Sequence, residues 1–334
     1  MNIEVVEPGL QTLLQDEGRW GWQREGVPVG GAMDGWSHRL ANLLVGNAAD
    51  EATLEILLKG PTLRFECPVR IAITGAELGP QVDGRPVPTM QALDLPAGAV
   101  LGFGTREAGL RAYLAVAGGF DLAPVLGSRS TYTRGGFGGL DGRALRAGDR
   151  LPLRRTAPAA ARRGAPAPDL LALLPDPAPD ACATLAVLAG EHWSAFSPEA
   201  QQSFLSQDWR IGPQSDRMGY RLQGRALAPA RMDEMLSEGV AFGTVQLPPD
   251  GQPIVLMADR HGTGGYPKIA HVAGVDLPML AQLAPGQRVR FELVTLDLAQ
   301  ALIEDRERRL QRLRLALLGA HDGDPRAATE ETKR

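Results

Sequence analysis

Polar side chains lie beside glycines in four short segments, which run from Gln15 to Arg19, Gly127 to Tyr132, Ser215 to Arg221 and Asp259 to Lys268. Glycines let backbone N–H groups converge and let a ligand approach closely, which creates sites for anions. Arginine adds a planar fork that suits a carboxylate or a phosphate. The segments therefore predict a site for a small anionic molecule. Its candidate binding residues are Gln15, Arg19, Ser128, Arg129, Ser130, Tyr132, Asp216, Tyr220, Gly264, Gly265 and Tyr266.

Three charged side chains in these segments are candidates for catalysis. The sequence has 32 arginines but three lysines, so a lysine in a glycine-rich loop, such as Lys268, indicates a need for its compact amine. Lys268 can stabilise developing negative charge, Arg217 can bind a carboxylate or phosphate, and Asp259 can act as a base. An alternative carries equal weight: Asp216–Arg217 and Asp259–Arg260 are structural ion pairs that close the ends of a barrel.

Composition excludes several other functions. The net charge of −4 gives no indication of a surface for nucleic acid or an anionic membrane. The sequence lacks a phosphate-binding GxxxxGK[ST] loop and a GxSxG nucleophile motif. Its five histidines and two cysteines show no metal-ligand spacing, so we expect no metal site. Residues 1–9 do not resemble a signal peptide, and no apolar run approaches the ~18 residues of a membrane span, so we expect a cytoplasmic protein.

The elements that position these residues are predicted to be mainly β with a few helices. The 40 glycines and 26 prolines make up about a fifth of the 334 residues, which requires many turns. An alanine- and proline-rich stretch, residues 154–180, reads as a linker between a domain of residues 1–153 and a domain of residues 181–300. Residues 301–334 are predicted to form a charged amphipathic helix followed by a disordered tail.

Local signals place several elements within this frame. Residues 34–45 predict a helix that Asp34 or Ser37 caps and Gly46 ends. Alternating apolar residues predict a strand over residues 64–74, and Asp83-Gly84 predicts a tight hairpin turn. Ser197, followed by a proline, predicts the start of a second helix that runs to about residue 206.

Seven blocks of the sequence, in this order, resemble the allophanate hydrolase subunit 2 family, which includes the C subunits of 5-oxoprolinases and the KipA-type proteins. The blocks are PGLQTLLQDEGRWGW from Pro8, GAMDGWSHRLANLLVGN from Gly31, LEILLKGPTLRF from Leu54, YLAVAGGFDLAPVLGSRSTY from Tyr113, SDRMGYRLQG from Ser215, SEGVAFGTVQLPPDGQPIVLMADR from Ser237, and GGYPKIAHV from Gly264. One departure is visible, because the family usually has DRQTTGGYP where this chain has His261 and Gly262 in place of the glutamine and the first threonine.

The resemblance implies two cyclophilin-like β-barrel domains and adds Gln246 to the candidate binding residues. It also implies the C subunit of an ATP-dependent 5-oxoprolinase, inactive alone, which opens 5-oxoproline to L-glutamate together with an A subunit and a KipI-like B subunit. ATP with Mg²⁺ would act in the assembled complex. Arg217 and Lys268 would then meet the substrate carboxylate and the transferring phosphoryl group.

Two other functions remain open under the same resemblance. The family is similar to the carboxyltransferase portion of urea carboxylase, which moves a carboxyl group from carboxybiotin to urea. The chain has no segment that resembles a biotin-bearing hairpin, so a carboxyltransferase would need a separate carrier. The third possibility is a KipA-type regulator that binds a KipI-like inhibitor of a histidine kinase.

Overall fold

The computed structural model describes residues 1–154, 182–228 and 235–319 of the chain. Apart from Arg154, the predicted linker of residues 154–180 lies outside the described residues, as does the predicted tail from residue 320 onward. The mainly β class with a few helices is confirmed.

Residues 1–154 form two sheets that enclose one core. The six-stranded sheet has the order β11-β1-β4-β9-β6-β7 and the five-stranded sheet the order β2-β3-β10-β5-β8. Side chains from both sheets, among them Phe65 and Leu114, fill the space between them. The elements are β1 Asn2–Glu7, β2 Gln11–Gln15, α1 Gly35–Val45, β3 Thr53–Leu57, β4 Thr62–Phe65, β5 Val69–Glu77, β6 Pro80–Val82, β7 Arg85–Pro86, β8 Ala92–Leu95, β9 Val100–Phe103, β10 Ala108–Val116 and β11 Arg150–Pro152.

The described residues between 182 and 293 form a closed seven-stranded barrel with the order β12-β19-β16-β17-β14-β13-β20. Its first and last strands, β12 and β20, pair in parallel, whereas its other pairs are antiparallel. A two-stranded ribbon, β15 with β18, stands beside the barrel. The elements are β12 Cys182–Ala189, α2 Pro198–Ser206, β13 Trp209–Ile211, β14 Gly219–Gln223, β15 Glu238–Gly239, β16 Thr244–Gln246, β17 Ile254–Leu256, β18 Thr263–Gly264, β19 Lys268–Val272, α3 Leu277–Gln282, β20 Arg288–Leu293 and α4 Leu296–Gly319.

The local sequence signals lie where they were expected. The Asp34 carboxylate accepts hydrogen bonds from the first turn of α1, and Gly46 ends that helix in a left-handed conformation that suits glycine. Ser197 caps α2, which has proline at its first position. Asp83 and Gly84 connect β6 to β7, although the predicted strand at residues 64–74 is divided between β4 and β5.

The long C-terminal helix α4 returns to the N-terminal half and packs against α1. Leu313 is buried among α1 residues, and Arg39 of α1 donates two hydrogen bonds to Glu307, at 2.5 and 2.9 Å. Arg306 stacks over the ring of Trp36 at 5.2 Å. The helix therefore ties the barrel to the sheets. No helix within the described ranges is long and apolar enough to cross a membrane.

Candidate functional site

A pocket of about 330 Å³ lies at one end of the barrel, against the outward-facing side chains of β14, β16 and β17, and we call it the barrel-mouth pocket. It brings together five of the residues that the sequence singled out, from three separate segments of the chain. These are Asp216, Gln246, Gly264, Gly265 and Tyr266. His261, which replaces the family's glutamine, also lines the pocket.

Three arginines line the barrel-mouth pocket, and the sequence reasoning did not select them as binding residues. Arg134 reaches over from the N-terminal half and lies 3.5 Å from Asp216. Arg221 is exposed, and Arg260 is half-buried and bonds only backbone carbonyls, at 3.3 and 3.4 Å. Burial lowers the pKa of Arg260 to about 10, so it stays charged at neutral pH. Arg221 and Arg260 both line the pocket, where their guanidinium groups would contact a bound anion.

Arg217, a predicted catalytic residue, is instead held at the seam, our term for the contact between the N-terminal sheets and the barrel. Its guanidinium donates two hydrogen bonds of 2.9 Å to the carboxylate of Asp259. It also donates to Glu55 at 2.5 Å and to the carbonyl of Gly31 at 2.6 Å. Every nitrogen of the guanidinium thus has a protein partner. Arg217 thus forms ion pairs with Asp259 and Glu55, and not with its neighbour Asp216.

The seam network extends from Glu55 through further buried polar groups. Glu55 accepts hydrogen bonds from Tyr113 and from the backbone of Met33, each at 2.8 Å. Burial alone would raise the pKa of Glu55, but Arg217 and Arg111 lower it below its ordinary value, so the group is a carboxylate. Arg111 donates to the Tyr220 hydroxyl at 2.7 Å. Tyr220, a predicted binding residue, therefore belongs to this seam network.

Asp16 organises the loop that carries Ser128, Arg129 and Ser130. Its carboxylate accepts from the hydroxyls of Ser128 and Ser130 at 2.6 and 2.5 Å and from the backbone of Arg129 at 2.5 Å. Burial would raise the pKa of Asp16, but these hydrogen bonds lower it below its ordinary value. The two serine hydroxyls that we expected to bind a ligand are thus turned toward a carboxylate of the same chain.

The remaining candidates of the N-terminal half pack around this loop. Gln15 donates to the carbonyl of Thr131 at 3.1 Å, and its own side-chain oxygen has no partner. Arg19 donates to the carbonyl of Ser130 at 2.8 Å and lies over the ring of Phe137, while its Nη1 has no partner. The ring of Tyr132 packs edge-on against Phe137.

Lys268 is buried at the start of β19 and does not line the barrel-mouth pocket. Its amine lies 2.9 Å from the carboxylate of Glu238 and 3.7 Å from that of Glu191. Glu238 pairs with Gly264, which forms part of the pocket wall. Lys268 therefore supports a wall of the pocket. Its predicted catalytic role stays a prediction, as do those of Arg217 and Asp259.

Two residues that the sequence did not predict as binding groups, Glu55 and Arg134, have partners that are distant in the chain. Glu55 is 162 residues from Arg217, and Arg134 is 82 residues from Asp216. No short motif contains such pairs. Arg134 does precede a glycine pair, and Asp16 lies inside a segment that we singled out, so these were the available signals.

The fold is mainly β, and its barrel-mouth pocket is lined by residues of both halves of the chain. The chain belongs to the family described as carboxyltransferase domain, subdomain A and B, whose model matches residues 25–293. The family resemblance drawn from the seven sequence blocks is thereby confirmed. Among the described residues, no group of three histidine, cysteine or carboxylate side chains is placed to hold a metal ion.

Known relatives come from bacteria and fungi. The chain is 39% identical to the 5-oxoprolinase C subunit of Escherichia coli over 311 residues, which cover 93% of this chain and 97% of the relative. It is 34% identical to urea amidolyase of Lachancea kluyveri, over 93% of this chain but 18% of that enzyme. The crystal structure of Kluyveromyces lactis urea amidolyase superposes with a TM-score of 0.86 at 31% identity, over 93% of this chain and 20% of that one. The chain thus spans about a fifth of each fungal enzyme.

Proposed function

We propose that this chain is the C subunit of an ATP-dependent 5-oxoprolinase. It would act with an A subunit and a KipI-like B subunit, and together they would open 5-oxoproline to L-glutamate. The observation that carries the proposal is the match to a 5-oxoprolinase C subunit over nearly the full length of both chains. A second relative with the same name, from Haemophilus influenzae, matches at 38% identity over 97% of its length.

The barrel-mouth pocket suits the substrate of this reaction, which is a small carboxylic acid. Arg221 and Arg260 supply guanidinium forks that bind a carboxylate through paired hydrogen bonds. The pocket of about 330 Å³ lies at the small end of the range for ligand sites, which favours a compact acid over a whole nucleotide. In this proposal the assembled complex binds ATP with Mg²⁺ and hydrolyses the ATP.

Lys268 enters the proposal as a residue that positions the pocket wall. Its amine holds Glu238, and Glu238 pairs with Gly264 beside the ligand. A neutral side chain at position 268 would leave Glu238 without its closest cation. We therefore expect Lys268→Met to raise KM for 5-oxoproline more than it lowers kcat, whereas a direct catalytic role would lower kcat.

The test is ATP hydrolysis by the purified chain mixed with its cognate A and B subunits. The mixture is assayed with and without 5-oxoproline, and each protein is left out in turn. We expect ATP turnover that requires both 5-oxoproline and this chain. Turnover that continues without this chain, or that ignores 5-oxoproline, would refute the proposal.

Carboxyl transfer is the second candidate, because the family model describes a carboxyltransferase domain and the fungal relatives are urea amidolyases. This function would require a carboxybiotin-bearing partner. Its signature is the loss of carboxybiotin in the presence of urea and this chain. Carboxybiotin consumption without any 5-oxoproline-dependent ATP turnover would favour this candidate.

A further inference from the structure

A second cavity lies in the N-terminal half, beside Arg154, where the first described range of the chain ends, and we call it the exit groove. It measures about 530 Å³, which is within the range of ~300–1,000 Å³ that is usual for ligand pockets. Among the described residues, it shares no lining side chain with the barrel-mouth pocket. Most of the side chains that line it are apolar: Met1, Cys67, Val69, Leu95, Ala117 and Leu153.

The charged side chains of the exit groove are held in ion pairs. Arg70 donates hydrogen bonds of 2.7 and 3.1 Å to Asp94. Arg154 donates two hydrogen bonds, of 2.7 and 2.8 Å, to Glu51. Because each guanidinium already meets a carboxylate through paired hydrogen bonds, the groove presents apolar surface and paired charge. It is therefore complementary to an apolar occupant.

Two stretches of the chain outside the described residues begin beside the exit groove. Residues 155–181 follow directly after Arg154, which is part of the groove wall. Residues 320–334 follow helix α4, whose Leu317 packs in the same cluster as Ala117, another residue of the groove. Both stretches are thus candidates to cover the groove, and their compositions distinguish them.

The apolar run LLALL at residues 170–174 has the composition that the exit groove requires. It contains all the leucines of residues 155–181, which have no isoleucine, valine, methionine or aromatic residue. Residues 320–334 have none of these side chains. Removal of leucine side chains from water is the main favourable term for such a contact. The chain from residue 154 to residue 170 extends up to ~50 Å at ~3.3 Å per residue, so the run has ample reach.

We propose that the exit groove binds residues 170–174 of the same chain, with their leucine side chains against Cys67 and Val69. Both side chains are half-buried, so each has surface left for the contact. The inference goes beyond the proposed function, since it concerns a contact within this chain and not the reaction. Its tests use the purified chain without the A and B subunits, so their outcome is independent of the oxoprolinase assay.

The thiol of Cys67 reports whether the exit groove is covered. The chain has two cysteines, both free, and Cys182→Ser leaves Cys67 as the single thiol. Serine retains a hydroxyl in place of the thiol that hydrogen-bonds Asp208. The rate of alkylation by iodoacetamide under native conditions depends on access to the thiolate, so a covered Cys67 reacts slowly.

Neutral substitutions in the apolar run should uncover Cys67. In the Cys182→Ser background, we expect the double variant Leu171→Ser/Leu174→Ser to raise the alkylation rate at least fivefold. The matched control is Ala159→Ser/Ala165→Ser, which adds the same hydroxyls in the same stretch and should leave the rate within about twofold. Circular dichroism verifies that both variants retain the fold. Equal rates for the leucine variant and its background, or equal acceleration by the control, would overturn the inference.

Disulfide cross-linking provides a second test that retains most of the run. In the Cys182→Ser background, each leucine of residues 170–174 is replaced in turn by cysteine, and the chain is oxidised with oxidised glutathione. A disulfide requires the two Cα atoms to come within about 7 Å. We expect at least one of these positions to join Cys67 at least fivefold faster than Ala159→Cys or Ala327→Cys, as measured by peptide mapping.

The two control positions give the cross-linking test its contrary outcomes. Ala159 lies in the same stretch as the leucines, and Ala327 lies in the stretch that follows α4. Equal rates at all positions would mean that the run has no preference for the groove and would refute the inference. Faster joining from Ala327→Cys than from any leucine position would assign the groove to the C-terminal stretch and would likewise refute it.

Discussion

Replacement of Arg217 by methionine should loosen the contact between the sheets and the barrel. The guanidinium compensates two buried carboxylates, Asp259 through two bonds of 2.9 Å and Glu55 through one of 2.5 Å. Removal of one partner from a buried ion pair leaves an uncompensated charge, which costs about 3–5 kcal/mol. Because folded proteins are stable by about 5–15 kcal/mol, the variant should lose a large share of its stability.

Equilibrium unfolding in urea, followed by circular dichroism, measures this loss. Arg221→Met is the matched control, since Arg221 is exposed and should change the free energy of unfolding by less than about 0.5 kcal/mol. Glu55→Gln in the Arg217→Met background removes one of the stranded charges. We expect the double variant to be less destabilised than the sum of the two single variants.

The reasoning is refuted if Arg217→Met unfolds within about 1 kcal/mol of the wild type. In that case the network at the seam would not depend on this charge. A stable Arg217→Met chain that nonetheless abolished activity in the assembled complex would support the catalytic role that the sequence predicted. A loss of both stability and activity fits the structural role.

Three further outcomes are expected. Burial lowers the pKa of His38 from 6.5 to about 4, so the folded chain resists protonation of this side chain more than the unfolded chain does. The stability of the wild type should therefore fall by roughly 2–3 kcal/mol between pH 7 and pH 4.5 through this group. The difference in unfolding free energy between the wild type and His38→Asn should shrink by the same amount. Asp16→Asn should cost about 1–3 kcal/mol at pH 7. Because hydrogen bonds lower the pKa of Asp16 in the folded chain, the difference from the wild type should diminish as the pH falls below about 4, where the unfolded chain takes up a proton on this group before the folded chain does. Leu313→Ala should cost about 2–4 kcal/mol because it opens a cavity under α4, whereas Leu315→Ala, at an exposed position, should cost less than about 0.5 kcal/mol in the same urea titration.

The sequence predicted the elements whose signals are local. The Asp34 cap, the Gly46 stop and the Ser197 start of α2 each depend on residues within one helical turn, and the structure confirms them. Helix α4 was predicted as an amphipathic helix without an assignment of its partner. Leu310 and Leu313 are buried, whereas Leu302 is 39% exposed. Helical periodicity identifies a face but not where along the helix its partner ends.

Part of the candidate site could also be predicted, because glycine-rich loops often border ligand pockets. Asp216, Gln246 and Tyr266 do line the barrel-mouth pocket. The role of Arg217 could not be read from its neighbours, since its strongest partners are 42 and 162 residues away and are set by how the barrel meets the sheets. The two β-barrel domains were implied by the family resemblance; the second half forms a closed barrel, and the first half forms two sheets around one core.

The central claim is that the barrel-mouth pocket binds the acidic substrate of a 5-oxoprolinase. The most direct measurement is the KM for 5-oxoproline of three assembled complexes. They contain the wild-type chain, the Arg221→Gln variant, and the Arg85→Gln variant, which is the control because Arg85 is exposed on β7. We predict that Arg221→Gln raises KM at least tenfold and that Arg85→Gln leaves it unchanged. An unchanged KM for Arg221→Gln, or a complex that never responds to 5-oxoproline, would contradict the account.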